Sequence, residues 1–351
     1  MRKRSAVAAL TIGLVLIVVS GLVRWVAAPR MAVLPADLQT VRVYTGTAAT
    51  LVNPTSLMGT TIGPGLLRDV AVTVRHSTKV VQTSGHAALV ADERAVSIPG
   101  YTVADLNYRF GINRSSFQAA GAFPGAVAHR GLTINWPIGA GRHDYTGWVT
   151  DTQSSTRLRY VGEQSRGGIP TYVFRTLVAE SPITDPQLLR LLPRSMSKSA
   201  LMTLTPSLGL SRDALLTMSK VVDRLPDPVP LVYTYQLAAT YWVAPASGVV
   251  VDTVQHEVRS VSFVDGAATV PVTPVMDMTY HSSAATLAAA VNDAKDNAAA
   301  IRLVETTVPV GLLIGGIVLA MAGLALALTK RPRRPSTPVP SVPQRELVRI
   351  G

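Results

Sequence analysis

The chain contains no cysteine. That excludes a disulfide framework, a thiolate metal site, a cysteine nucleophile and an acylated lipoprotein cysteine. Charge is also scarce. Only 15% of the 351 residues are charged, against about 25% in soluble domains, and mean hydropathy is +0.29. The composition therefore fits neither an ordinary cytosolic globule nor a disordered chain, which needs high charge and little apolar content. Catalytic signatures are missing too: the sequence has no HExxH, no GxSxG, no Walker loop and no GxGxxG. The six histidines, 76, 86, 129, 143, 256 and 281, are scattered. His143-Asp144 and His256-Glu257 are adjacent pairs, and neighbours on a strand point to opposite faces. No enzyme, metal or cofactor is expected. Asn113-Arg114-Ser115 matches a glycosylation sequon but reads as a turn.

What the chain has is two long apolar runs. Residues 5–23 and 308–329 carry no charge, and each is long enough to cross a hydrocarbon layer of roughly 30 Å as a helix. Arg2, Lys3 and Arg4 precede the first run; Lys330, Arg331, Arg333 and Arg334 follow the second. Basic residues at both outer ends place both termini in the cytoplasm and the intervening chain outside. Val26-Ala27-Ala28 offers a small-residue cleavage site, but Pro29 would follow the cut and the run exceeds the 7–15 residues or so of a signal peptide. It reads as an uncleaved anchor in the inner membrane. The flanks carry most of the +12 charge, so the basic balance reports topology and no nucleic-acid partner is expected. Residues 330–351, rich in proline and arginine, read as a cytoplasmic tail attracted to anionic headgroups.

Between the spans the pattern is that of a sheet. Leu231, Tyr233, Tyr235, Leu237, Ala239, Tyr241 and Val243 alternate with more polar residues, as do Val70, Val72 and Val74, and Tyr172, Phe174, Thr176 and Val178. Glycine and proline turns separate these runs. The expected fold is a mainly β extracytoplasmic domain over residues 24–283, held by one N-terminal and one C-terminal transmembrane helix. Residues 185–222 have helical spacing and read as an insertion over one end or face of the sheet, or as an apolar lid over a cavity, with Ser197 and Ser211 as N-caps. Residues 284–307, alanine-rich at first, read as a stalk helix running into the second span, with a kink at Pro309. Gly311 and Gly315 in that span, and Ala9 and Gly13 in the first, have the small-residue spacing that lets helices approach closely.

Three stretches, residues 131–153 (GLTINWPIGAGRHDYTGWVTDTQ), 160–178 (YVGEQSRGGIPTYVFRTLV) and 240–258 (TYWVAPASGVVVDTVQHEV), taken with the terminal anchors, resemble the actinobacterial PorA-like family. Members usually carry an Asp-Arg turn in the first third, where this chain has Asn107-Tyr108-Arg109 and Asn113-Arg114. No catalytic residues come with the resemblance. The two anchors, the β-rich domain and the phrase GGIPTYVFR are also similar to class B scavenger receptors, which implies a domain that shelters lipid. The expectation drawn from these features is a cell-envelope protein that binds or passes lipid-like ligands, with Phe174, Tyr233 and Tyr235 lining an elongated cavity. A non-catalytic scaffold and a porin-like oligomeric channel are the alternatives. A homo-oligomer is compatible with the last.

Overall fold

A computed structural model describes residues 2–53, 65–121, 123–205, 212–265 and 268–329. The chain divides into two compact units, Met1–Ala27 with Val304–Gly351, and Ala28–Leu303.

The first unit is an antiparallel helix pair, α1 (Arg2–Leu22) and the C-terminal helix (Val308–Leu328). The helices that contain these segments are long and apolar enough to cross a membrane. What joins them is a seam of small residues seven apart: Ala6, Gly13 and Ser20 are buried against Pro309, Gly316 and Gly323. A Cβ on Gly316 would lie 2.8 Å from the Gly13 carbonyl oxygen, and one on Gly323 2.7 Å from the Leu10 nitrogen. Backbones this close gain dispersion contacts that larger residues would block. The Ser20 hydroxyl closes one end by donating to the Pro309 carbonyl at 2.7 Å. A repeat of seven keeps one face of each helix on its partner. The GxxxG spacing predicted another arrangement. Gly311 and Gly315 have open space where a Cβ would stand, and Ala9 is only half-buried; of the four residues singled out, Gly13 alone lies in the backbone seam. Spacing of four and spacing of seven select different stripes of the same glycine-rich helix.

The second unit is mainly β. Its strands are β1 (Gln39–Val52), β2 (Leu66–Ser84), β3 (Ala87–Ile98), β4 (Tyr101–Asn113), β5 (Tyr145–Val149), β6 (Ser154–Arg166), β7 (Ile169–Pro182), β8 (Ser195–Met196), β9 (Val229–Val243), β10 (Val250–Asp265) and β11 (Ala268–Ser282). They pair antiparallel in the order β4-β3-β2-β1-β11-β10-β9-β7-β6-β5, with β8 on β9. Gly167 and Gly168, both at positive φ, form the two-residue hairpin that such φ values allow. The sheet curls, so that Tyr108, Phe110 and Ile112 of β4 share one core with Leu158, Phe174 and Tyr233 from the other arm. Residues 114–144 bridge the two edge strands: Val127 donates to the Arg109 carbonyl and Leu132 to that of Thr146. Each edge is thereby covered in part, which reduces unpaired strand surface.

Helices cover the two ends of the curl. After α2 (Ala28–Met31) come α3 (Pro186–Leu191), α4 (Lys198–Leu204), α5 (Arg212–Arg224) and α6 (Ala284–Arg302), so the helix Val308–Leu328 is α7. α6 starts at Ser283, whose hydroxyl accepts from Thr286 N. It buries Ala290, Val291 and Ala294 against Ala244, Val249 and Val251, at the start of β10 and just past the end of β9. A π turn, Leu303–Thr307, follows it. The irregularity expected at Pro309 therefore precedes it, and Pro309 sits in the first turn of α7, where its missing N–H costs nothing. α4 and α5 cover the opposite end, burying Leu201, Met218, Val221 and Val222 with Val229 and Phe263. Ser197 caps α4 by accepting from Ala200 N at 3.2 Å; Ser211 and residues 330–351 lie outside the described residues.

The helix seam makes a discriminating prediction. Gly316→Leu should cost about 1–3 kcal/mol by overpacking and lower the thermal midpoint in detergent, whereas Gly315→Leu, one position away, should leave it unchanged.

Candidate functional site

The register on β9, β10 and β11 stacks the interior of the curl in layers. At the α4–α5 end, Tyr233 stands opposite Val261; one step inward Tyr235 stands opposite Arg259; the next step pairs Leu237 with Glu257. Across β11, Met276 faces Arg259 and Met278 faces Glu257. Apolar residues therefore close the end and charged residues fill the middle.

The apolar end holds a pocket of about 80 Å³ between the helices and the sheet. Leu201 and Met218 contribute from the helices, Met196 from β8, and Leu231, Tyr233 and Val261 from the long strands. Leu216 and Met202 remain exposed on the same two helices. Tyr233 donates its hydroxyl to the Pro193 carbonyl at 2.8 Å, which leaves its ring face as pocket wall.

The other two aromatic residues expected in a cavity lie elsewhere. Phe174 is fully buried, ringed by Trp136, Tyr145 and Tyr160 at centroid distances of 5.1, 5.6 and 5.8 Å. It is solid core, because the curl brings residues 131–148 down onto its strand. Tyr235 is buried under the Arg259 guanidinium, 5.4 Å from its ring centroid. The cavity is accordingly compact where an elongated one was expected.

The charged layer joins four residues. Arg94 reaches from β3 to Glu257 Oε1 at 2.6 Å, and the Tyr280 hydroxyl donates to the same oxygen. Arg259 Nε donates to Asp151 Oδ2 at 2.7 Å, and Arg259 Nη2 lies 3.7 Å from Glu257 Oε2. Two guanidiniums thus meet two carboxylates. Burial pushes the Glu257 carboxyl up, but Arg94 and Arg259 beside it pull it further the other way, so it stays ionised below the usual range. Burial opposes the charge of Arg94 as well, and Glu257, Tyr280, Tyr235 and Asp151 together outweigh it. Tyr280 and Tyr235 are pushed up by burial. Sequence reasoning missed this layer. It correctly separated His256 from Glu257, since His256 points outward to Asp277 at 2.8 Å, but nothing in the chain announces that Glu257 finds Arg94. His143 is exposed; its Nδ1 meets the Asp144 carbonyl and its ring packs on Tyr145 at a centroid distance of 4.4 Å. Among the described residues no group of three His, Asp or Glu side chains is placed to hold a metal.

The family profile of Porin PorA matches residues 5–325. The chain belongs to the Porin PorA family. No curated protein matches it. Among solved structures, a conserved hypothetical protein from Mycobacterium tuberculosis with a double hotdog fold is 13% identical over 69% of this chain and 74% of its own, with a TM-score of 0.13. The CurK dehydratase, as an inactive mutant, is 8% identical over 76% and 83%, with a TM-score of 0.12.

In this PorA family member the first of the family-like stretches, with the residues just before it, also holds buried polar atoms without a hydrogen-bond partner: His129 Nε2, Thr133 Oγ1, Trp136 Nε1 and Trp148 Nε1. His129 packs against Phe110 and Trp148, and Nδ1 meets the Val127 carbonyl at 3.2 Å. Protonating Nε2 there would create a poorly solvated cation whose Nε2–H has no acceptor. Burial holds its pKa below 6.5, the Val127 contact only partly offsetting it.

Two predictions follow from these environments. Arg94→Met should destabilise the domain by about 3–5 kcal/mol, because it strands a buried carboxylate, and Arg94→Met with Glu257→Met should recover most of that loss; denaturant unfolding of the two variants checks it. Since the folded His129 and Glu257 both titrate below their ordinary values, stability should hold at neutral pH and fall in acid, beginning below pH 6.5. His129→Phe should delay that onset in thermal melts taken between pH 7 and 5.

Proposed function

We propose that this protein is an envelope protein held by two uncleaved spans, whose β domain lies outside the inner membrane and takes a lipid-like apolar ligand into the pocket beneath α4 and α5. The pocket carries the reading. Its wall is almost wholly apolar, aliphatic and aromatic with Met196 and Met218 among them, and methionine side chains adapt to irregular apolar guests. The exposed Leu216 and Met202 beside it offer an apolar approach. The volume suits a short length of acyl chain, below the roughly 300–1,000 Å³ of sites that swallow a drug-sized ligand whole. Basic residues outside both spans favour cytoplasmic termini, and the tail is drawn to anionic headgroups. The protein works by binding, without catalysis.

The family's porin name favours a second reading, an oligomeric channel. The small-residue seam brings the α1 and α7 backbones together, so a conducting path would have to be built from several copies. A non-catalytic scaffold is what remains if neither ligand nor ring is found.

Native mass spectrometry of the full-length protein in mild detergent, with identification of extracted lipid, separates the three. A stoichiometric acylated lipid on a monomer supports the binding reading; a ligand-free ring supports the channel, and a ligand-free monomer the scaffold. Met218→Trp, which fills the pocket from the α5 side, should reduce bound lipid roughly tenfold, a loss of about 1.4 kcal/mol. Unchanged lipid in that variant would place the ligand elsewhere.

A further inference from the structure

The wall of the apolar pocket adjoins a pair of poorly served charged atoms. Val261 and Tyr233 line the pocket, and Arg259 and Tyr235 occupy the next inward positions on the same strands, about 7 Å along a strand. Arg259 is 6% exposed and Glu257 1%. The Arg259 guanidinium spends Nε on Asp151. Its Nη1 has only the Met276 thioether, at 2.9 Å, and sulfur of that kind is a weak acceptor. Its Nη2 stands 3.7 Å from Glu257 Oε2, beyond hydrogen-bond distance. Glu257 Oε2 is itself buried with no hydrogen-bond partner, although Oε1 is held by Arg94 and Tyr280. Under-used donors and an orphaned acceptor therefore face each other beside an apolar pocket.

We propose that this pair reads the hydroxyl group of an aliphatic alcohol whose hydrocarbon portion lies in the pocket. The inference rests on the lipid-binding reading above and names the polar group of that ligand. A hydroxyl combines one donor with two acceptor lone pairs, so it accepts from Arg259 and donates to Glu257 Oε2. A carboxylate would bring a second negative charge against Glu257, and an ammonium a second positive charge against Arg259. An ether oxygen accepts but cannot donate. Met276, unbranched and free to change rotamer, is the side chain that yields its place on Nη1.

The test uses the full-length protein in a fluorinated surfactant, which does not dissolve hydrocarbon, and three probes of equal heavy-atom number: 1-hexanol, 1-methoxypentane and heptane. Dissociation constants come from ligand-observed NMR. Hexanol should bind roughly tenfold or more tightly than the ether and heptane, since hydrogen bonds to charged groups are the stronger kind. Met218→Trp should abolish hexanol binding, and Glu257→Gln should shrink the preference for hexanol over heptane. If Glu257→Gln does not fold, the wild-type series decides alone. Equal binding of all three probes overturns the hydroxyl site and leaves the apolar pocket standing. Hexanol binding that persists in Met218→Trp overturns the placement. Binding of none removes the pocket reading and this inference with it.

Discussion

Two guanidiniums and two carboxylates buried within one antiparallel sheet set the conditions for the rest of the domain. Moving such charges out of water costs several kcal/mol per ion, so each must be met, and the residues that meet them come from distant parts of the chain. Arg94 and Glu257 are 163 positions apart, and Arg259 and Asp151 108. A flat sheet could not bring β3 to β10; the curl does. The polar chain continues past the ions. The Asp151 carbonyl accepts from Thr184 N and Asp185 N, and Asp185, while capping α3, accepts a hydrogen bond from the hydroxyl of Tyr108 on β4. One connected path thus runs from β10 through the β5–β6 turn and the α3 cap to the edge strand of the other arm. The groups that make burial costly are the same groups that tie the two arms together.

The ends of the curl are closed by different chemistry. At the α6 end the closure is alanine-rich and polar at its margin: Thr286 accepts from Val43 N, and Asp293 pairs with Arg42. Small side chains let the helix approach the strands closely. At the α4–α5 end the covering residues are methionine, leucine and valine, on short helices joined to the strands by β8. Flexible side chains on short elements fill space less completely than alanine on a long helix. The pocket forms where the cover is least regular, and the charged layer lies one strand step beneath it.

The helix pair obeys a separate rule. In a hydrocarbon phase apolar contact provides no net drive for two helices to associate, so close packing and interhelical hydrogen bonds must supply it. Ala6, Gly13 and Gly316 supply the first and Ser20 the second. The lipid-facing positions, such as Val7, Val18, Val318 and Met321, are large and exposed, as a helix surface bathed in acyl chains allows. Backbones packed this tightly leave no gap along the seam between the two helices. That argues from geometry against a pore within one copy, whatever the family is called.

Much of this was legible in the sequence because the signals were local. The period of two from Leu231 to Val243, the charge-free runs and the alanine-rich stretch before the second span each specify their element from neighbouring residues alone. So did the cap at Ser197. What stayed hidden depends on contacts between distant residues. The alternation that put Phe174, Tyr233 and Tyr235 on one face says nothing about which of them the opposite arm will cover. Residues 131–148 buried the first, Arg259 the third, and only Tyr233 was left against free space. Glu257 on a strand reads as a surface residue until the curl delivers Arg94 to it. In the second span, glycines at 311, 315, 316 and 323 offer several stripes, and the partner helix, with its own small residues seven apart, selects one. Periodicity identifies the face an element can bury; the chain that arrives there decides whether the face becomes core, pocket or ion pair.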